Sequence, residues 1–390
     1  MNRNLYPLLI AQFLSAFADN AILFTVIAMV MQSNHLASWY VPALQSVFLV
    51  AFVLLAPWVG GIADNHAKSR VLIAANLIKT TGAGLLLLHV EPLLAYCVVG
   101  MGAAVYSPAK YGILPELAGH EFLVKANSWM EGSTILAILL GMVIGARVAD
   151  YSIAWALAGT MVLFVASALV TLALPVRAGQ KSAGGSGIIE FGRQIGQFFT
   201  TPRSRFAIIG ASMFWAAAAT LRVILVAWAP LVLMSKNATE IAGLTLFLAI
   251  GIILGSALVP RLIPLEHLRR VRIPAYLMAL FIFGLSLADS LWPARFALLF
   301  IGIMGGMFIV PLNAALQELG QQSIGSGSAV ALQGFFQNLS MLAAVGSYTY
   351  AASQNADPVS SMLTLGSLFF MCTFLVSLRL PRRQLARQAG

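Results

Sequence analysis

Hydrophobic residues in this 390-residue chain come in long blocks, not in alternation with polar ones. The blocks fall near residues 5–31, 41–63, 71–90, 92–114, 128–149, 152–174, 205–233, 241–263, 272–288, 292–314, 326–350 and 359–380. Each approaches the ~20 residues a helix needs to cross a bilayer, so the pattern predicts an all-α membrane protein of about twelve transmembrane helices. Basic residues gather in alternate connections, among them Arg3, Lys68, Arg70, Lys125, Arg177, Lys181, Arg203, Arg269, Arg270 and Arg382. The opposite connections carry mainly Glu91, Asp150, Glu240, Asp289 and Asp357, with Lys236 and Arg295 as exceptions. The positive-inside rule therefore places both termini and the long middle loop in the cytoplasm.

Composition sharpens this picture. The chain is 60% hydrophobic and 9% charged, far below the about 25% charged residues of a soluble globule. The net charge of +10 is spent on topology, so nucleic acid is not an expected partner. Cys97 and Cys372 sit inside apolar runs, which suggests neither a disulfide framework nor a thiol metal site. Five histidines, His35, His66, His89, His120 and His267, show no ligand spacing. No Walker loop occurs, and Ser107-Pro108-Ala109-Lys110 matches S-x-x-K only formally, inside an apolar helix. No enzyme activity, metal or cofactor is expected. The first apolar run is too long for a signal-peptide core, so that helix is expected to stay.

The middle loop, Arg177 to Arg205, contains Ala183-Gly184-Gly185-Ser186-Gly187, a flexible linker, and then an amphipathic stretch near Phe191 to Phe199 that reads as lying on the membrane surface. It divides the chain into residues 1–176, a cytoplasmic linker 177–204 and residues 205–390. The halves repeat. Gly100-Met101-Gly102 through Pro108 reads against Gly302-Ile303-Met304 through Pro311, each followed by an acid and leucine, Glu116-Leu117 and Glu318-Leu319. Two pseudo-symmetric six-helix bundles with a site near the midplane are the build of major facilitator transporters.

Charged residues inside spans are the candidates for chemistry. Asp19, beside Asn20, lies on the order of 20 Å into the first span, where a carboxylate costs at least ~2.5–3.5 kcal/mol unless it meets a cation or a wet cavity. The repeat brings Arg222 of span seven near the matching position, so the two could pair across the pseudo-two-fold, as a permanent staple or as a switch opened by substrate. Lys110 in span four could snorkel to the interface, contact a phosphate or pair with Glu131 of span five. Between spans two and three, Gly60-Gly61 through Asp64, Lys68 and Arg70 resembles the major facilitator signature. Asp64 there can cap a neighbouring helix near Ser326. Asp64, Lys68, Arg70, Glu116 and Glu131 are thus the gating candidates. Gly141 with Gly145, and Gly251 with Gly255, read as helix-packing surfaces.

Several stretches together are more specific. Gln12-Phe13-Leu14-Ser15 through Asp19-Asn20, Ser107-Pro108-Ala109-Lys110-Tyr111-Gly112, Thr220-Leu221-Arg222 and Val310-Pro311-Leu312-Asn313 resemble the bacterial lysophospholipid transporter family, over essentially the whole chain. The resemblance implies a flippase that moves lysophospholipids from the outer to the inner leaflet of the bacterial inner membrane. It implies as partner an acyltransferase–acyl carrier protein synthetase that restores the missing chain. It also implies headgroup roles for Asp19, Lys110 and Arg222. The chemistry agrees: Arg222 suits a phosphate by its bidentate fork, and Asp19 suits an ammonium. Phe13, Phe17, Phe24, Phe214, Trp215 and Trp228 are candidates for an acyl-chain wall. The expected partners are the lysophospholipid substrate and membrane lipids, and the expected state is a monomer. Two other readings are a proton-coupled exporter of amphiphilic cations, with Asp19 as proton carrier, and a scaffold that merely recruits the acyltransferase. Span five lacks the glycine–proline signature that speaks for the first, and a scaffold has no use for midplane charges.

Overall fold

A computed structural model describes residues 5–32, 40–176, 187–233, 238–263 and 265–378. The glycine–serine run of the linker, Arg3, His35, Lys181, Lys236 and the arginines beyond residue 378 lie outside them.

The described residues are helical almost throughout. The elements are α1 (Leu5–Gln32), α2 (Tyr40–Asn65), α3 (Lys68–Leu87), α4 (Pro92–Gly112), α5 (Leu114–Tyr151), α6 (Ile153–Thr171), α7 (Ile188–Phe198), α8 (Pro202–Val232), α9 (Ala238–Leu262), α10 (Arg272–Ser286), α11 (Leu291–Gln322), α12 (Ser326–Ser353) and α13 (Pro358–Ser377). Eleven are long and apolar enough to cross a membrane. The ninth expected span is the exception: α10 has 15 residues and follows a 3-10 turn over Leu265–Val271. The fifth is longer than its apolar block. Helix α5 starts at Leu114, immediately after α4, and turns at Gly119, whose φ of 71° suits a residue without Cβ. Polar residues there hid the helix from a hydrophobicity reading.

Helix starts follow ordinary capping chemistry. Glu91 accepts from Leu94 N ahead of Pro92, Thr201 from Ser204 N ahead of Pro202, and Asp357 from Ser360 N ahead of Pro358. In each case proline occupies the first helical position, where no amide partner is needed.

The chain forms two compact units, Met1–Phe198 with Gln317–Phe335, and Phe199–Leu316 with Phe336–Gly390. The sequence halves thus exchange one piece: the hairpin joining α11 to α12 packs with the first unit. Within that unit α1 lies against α5 and α6, α3 against α4 and α6, and α2 against α4. Its core includes Ile22, Val26, Leu86, Tyr96, Val99 and Phe164. Close approach needs the glycines: a Cβ on Gly145 would sit 2.5 Å from Ala21 Cα. In the second unit, α13 packs on α8 and α10, and Gly251 of α9 meets Gly302 of α11 so closely that a Cβ would fall 2.9 Å from the opposing Cα. Both pairs are the packing surfaces expected from sequence, held by dispersion contacts, since lipid offers no hydrophobic drive between helices.

Helix α7 is the expected amphipathic piece. It buries Phe191, Gln194 and Phe198 and exposes Ile188 and Ile189. Phe191 packs edge-on against Phe335, with ring centroids 5.4 Å apart.

Candidate functional site

Polar side chains of α1, α3, α4, α5 and α6 meet inside the first unit. Asp19 Oδ2 accepts from Lys79 Nζ at 2.7 Å. Lys79 also donates to Ser15 Oγ at 3.0 Å, and Ser15 donates to Asn76 Oδ1. Asn76 donates to Ser167 Oγ, which donates to the Ala11 carbonyl. Lys79 is fully buried, with its ammonium 4.5 Å from the Tyr106 ring centroid and 5.4 Å from that of Phe164. A buried lysine is tolerated because a carboxylate, a hydroxyl and two aromatic faces replace its water.

The partner of Asp19 is a correction to the sequence reading. The repeat assigns Arg222 to the carboxylate, whereas in the structure Lys79 of the same bundle holds it. Lys79 is a lone cation in the middle of span three, so it had the same claim on a buried carboxylate as Arg222 had. That is the signal by which it could have been found. The network is one-sided: Asp19 Oδ1 is closed off from solvent without a hydrogen-bond partner.

The second charged pair lies nearby. Lys110 is buried, so it does not snorkel, and its ammonium stands 4.2 Å from the Tyr111 ring centroid. Its charge interacts with those of Glu131, Lys79 and Asp19. Glu131 is buried as well, 2% exposed, and Lys110 is a charged neighbour. Gln12 donates to Thr134 Oγ1, tying α1 to α5. Asn20 turns back on its own helix, donating to the Ala16 carbonyl.

Three of the gating candidates, Asp64, Lys68 and Glu116, form a separate cluster at the α11–α12 hairpin. Asp64 accepts from Gly327 N at 2.8 Å and Ser328 N at 2.7 Å, capping α12 where the sequence placed it. Lys68 bridges Glu116 at 2.6 Å and stands 3.8 Å from Asp64. Ser326 donates to the Gly112 carbonyl, and His120 pairs with Glu318. Deeper, Asn127 and Gln317 exchange two amide hydrogen bonds of 2.8 Å each. Glu131 belongs with Lys110 and not with this cluster, and Arg70 is exposed outside it. Asn127 and Gln317 had no sequence signal as a pair, since amides carry no charge to balance.

In the second unit, Arg222 is exposed although it stands well inside the 31-residue α8. Trp215 is half-buried and meets Phe214 edge-on at 5.3 Å. Trp228 is fully buried and Phe214 nearly so. Those two pack the helix interior and are withdrawn as acyl-chain wall, whereas Phe13, Phe17, Phe24 and Trp215 keep accessible surface.

Comparison with known proteins agrees with this architecture. Residues 8–345 match the model of the Major Facilitator Superfamily. The lysophospholipid transporter LplT of Shigella sonnei (strain Ss046) is 40% identical over 373 residues, spanning 94% of this chain and 94% of that one. The LplT of Escherichia coli (strain K12 / DH10B) gives the same figures. Among solved structures, the human organic anion transporter MFSD10 (TETRAN) superposes with a TM-score of 0.78 at 13% identity, covering 96% of this chain and 99% of that one. A bacterial homologue of the iron transporter ferroportin in an outward-facing state gives 0.74 at 16%, covering 97% and 100%. At such identities the solved structures speak for the fold alone.

Proposed function

This chain belongs to the Major Facilitator Superfamily and, within it, to the lysophospholipid transporter family, and on that premise we propose that it flips lysophospholipids from the outer to the inner leaflet of a bacterial inner membrane. The observation that carries the reading is the 40% identity to lysophospholipid transporters over 94% of the chain. The geometry supports it. A lysophospholipid headgroup joins an anionic phosphodiester to a hydrogen-bond donor, an ammonium or a hydroxyl. Asp19 keeps part of its side chain accessible as an acceptor, and Arg222 is an accessible guanidinium suited to phosphate. Half-buried Phe13 and Trp215 offer apolar surface to the acyl chain.

Transport by alternating access needs a part that lets go. The α11–α12 hairpin fits that role. It is tied to the first unit by the Asp64 cap, the Ser326 bond to Gly112, the His120–Glu318 pair and the Asn127–Gln317 amides. All are polar and reversible, and each can be replaced by water when the hairpin leaves. Lys68 holds Glu116 and Asp64 at the same place, so the cap carboxylate keeps a cation beside it in either state. On the inner side the delivered lipid would be substrate for a re-acylating enzyme.

The experiment is reconstitution of the purified protein alone in vesicles, with labelled lysophosphatidylethanolamine added outside. Transfer of label to the inner leaflet, above the rate of protein-free vesicles, is the expected result. No transfer would contradict it. Running the assay with and without a proton gradient separates this reading from a proton-coupled carrier.

A further inference from the structure

The first unit holds four ionisable side chains close together: Asp19 and Lys79 form an ion pair, and Lys110 lies within electrostatic reach of both and of Glu131. Two are acids and two are bases, so their formal charges cancel. Lys79 is the member without access to a ligand: it is fully buried, between Asp19, Ser15 and the rings of Tyr106 and Phe164. Asp19 keeps 21% of its side chain exposed and has one oxygen without a partner. The pair therefore presents a partly accessible carboxylate whose charge is already balanced from behind.

We propose that Lys79 sets the headgroup charge the carrier tolerates, by neutralising Asp19 so that net-anionic lysophospholipids are accepted alongside zwitterionic ones. The proposal rests on the reading of the chain as a lysophospholipid transporter. Its physical basis is simple. An ethanolamine ammonium and a glycerol hydroxyl are both donors, and the Asp19 carboxylate can accept from either. They differ in net charge, since the ethanolamine lipid is neutral overall and the glycerol lipid carries one negative charge. An uncompensated Asp19 would repel the second and leave the first unpenalised, whereas the Asp19–Lys79 pair treats them alike. Lys79 touches no headgroup and acts through Asp19, so it is a positioning residue.

The test is uptake of lysophosphatidylethanolamine and lysophosphatidylglycerol with one acyl chain, by vesicles carrying the full-length protein. Wild type, Lys79→Met and the double variant Asp19→Asn/Lys79→Met are compared. Lys79→Met should lower the glycerol-to-ethanolamine uptake ratio roughly tenfold or more, the size expected of one unit charge within about 10 Å at an effective dielectric of ~20. The double variant is neutral again and should return the ratio towards the wild-type value. A purely structural role would lower both uptakes in parallel and leave the ratio unmoved, which overturns the proposal. If Lys79→Met does not accumulate folded, Asp19→Asn decides: it leaves the Lys79 charge unbalanced and should raise the glycerol-to-ethanolamine ratio, and an unmoved ratio overturns the proposal. A wild-type protein that moves neither lipid removes the transporter reading itself.

Discussion

Lys79 Nζ donates to Asp19 Oδ2 at 2.7 Å, while Asp19 Oδ1, in the same carboxylate, has no partner. The pair joins α1 to α3 inside one bundle and does not depend on the other half of the chain. It gives the acid a cation of its own bundle and leaves part of the side chain accessible to a visitor. A carboxylate bound on both oxygens would have nothing to offer, and one bound on neither would be too costly at this depth.

Removing one member of that pair should therefore be worse than removing both. Lys79→Ala leaves Asp19 uncompensated and should cost about 3 kcal/mol of stability, the lower end for a broken buried pair because Asp19 is partly exposed. Asp19→Asn/Lys79→Met should cost clearly less. Thermal unfolding in detergent compares them, and equal losses would mean that the charges are not coupled.

The Asp64 cap offers a second prediction. Asp64→Ala strands the buried amides of Gly327 and Ser328, at about 2 kcal/mol for the lost charge-assisted bonds. Hydrogen exchange over residues 326–330 should accelerate by about 30-fold, which is that energy expressed as a ratio. Unchanged exchange would deny the hairpin its latch.

Glycine contacts predict a contrast within one protein. Gly251→Leu forces a side chain into the backbone of α11 around Gly302, and overpacking at such a site costs about 1–3 kcal/mol or more. Gly132→Ala meets nothing within 4 Å and should leave folding yield unchanged. Yields of folded membrane protein from parallel expressions check both.

Arg222 predicts a loss of function without a loss of fold. Its side chain is exposed, so Arg222→Ala should keep the unfolding temperature and abolish uptake of lysophosphatidylethanolamine. Arg222→Lys should keep part of the uptake, because an ammonium binds phosphate without the bidentate fork. Wild-type uptake by Arg222→Ala would remove this residue from the headgroup site.

How much of this the sequence carried depends on the kind of signal. The Asp64 cap on α12 was legible, because a carboxylate after a glycine pair has few uses at a helix junction. The Gly141/Gly145 and Gly251/Gly255 surfaces were legible for the same reason: small residues at fixed spacing have one physical use in lipid. Lys79 is hidden in the sequence, because the repeat points from Asp19 to the other half of the chain and nothing ranks a cation of the same half above Arg222. The start of α5 was missed because Glu116, His120, Glu121 and Lys125 make that turn too polar for an apolar block. Exposure decided the aromatics. Trp228 and Trp215 look alike in sequence, and only packing separates the buried one from the accessible one.

The most direct test of the site is uptake of lysophosphatidylethanolamine by vesicles containing Asp19→Asn. Asparagine keeps the shape and an acceptor for Lys79 but removes the charge. The account predicts that uptake per folded protein falls at least tenfold relative to wild type, the loss expected when a charged acceptor worth about 1.5–3 kcal/mol is removed, together with a lower unfolding temperature because Lys79 is left uncompensated. Uptake equal to wild type would contradict it.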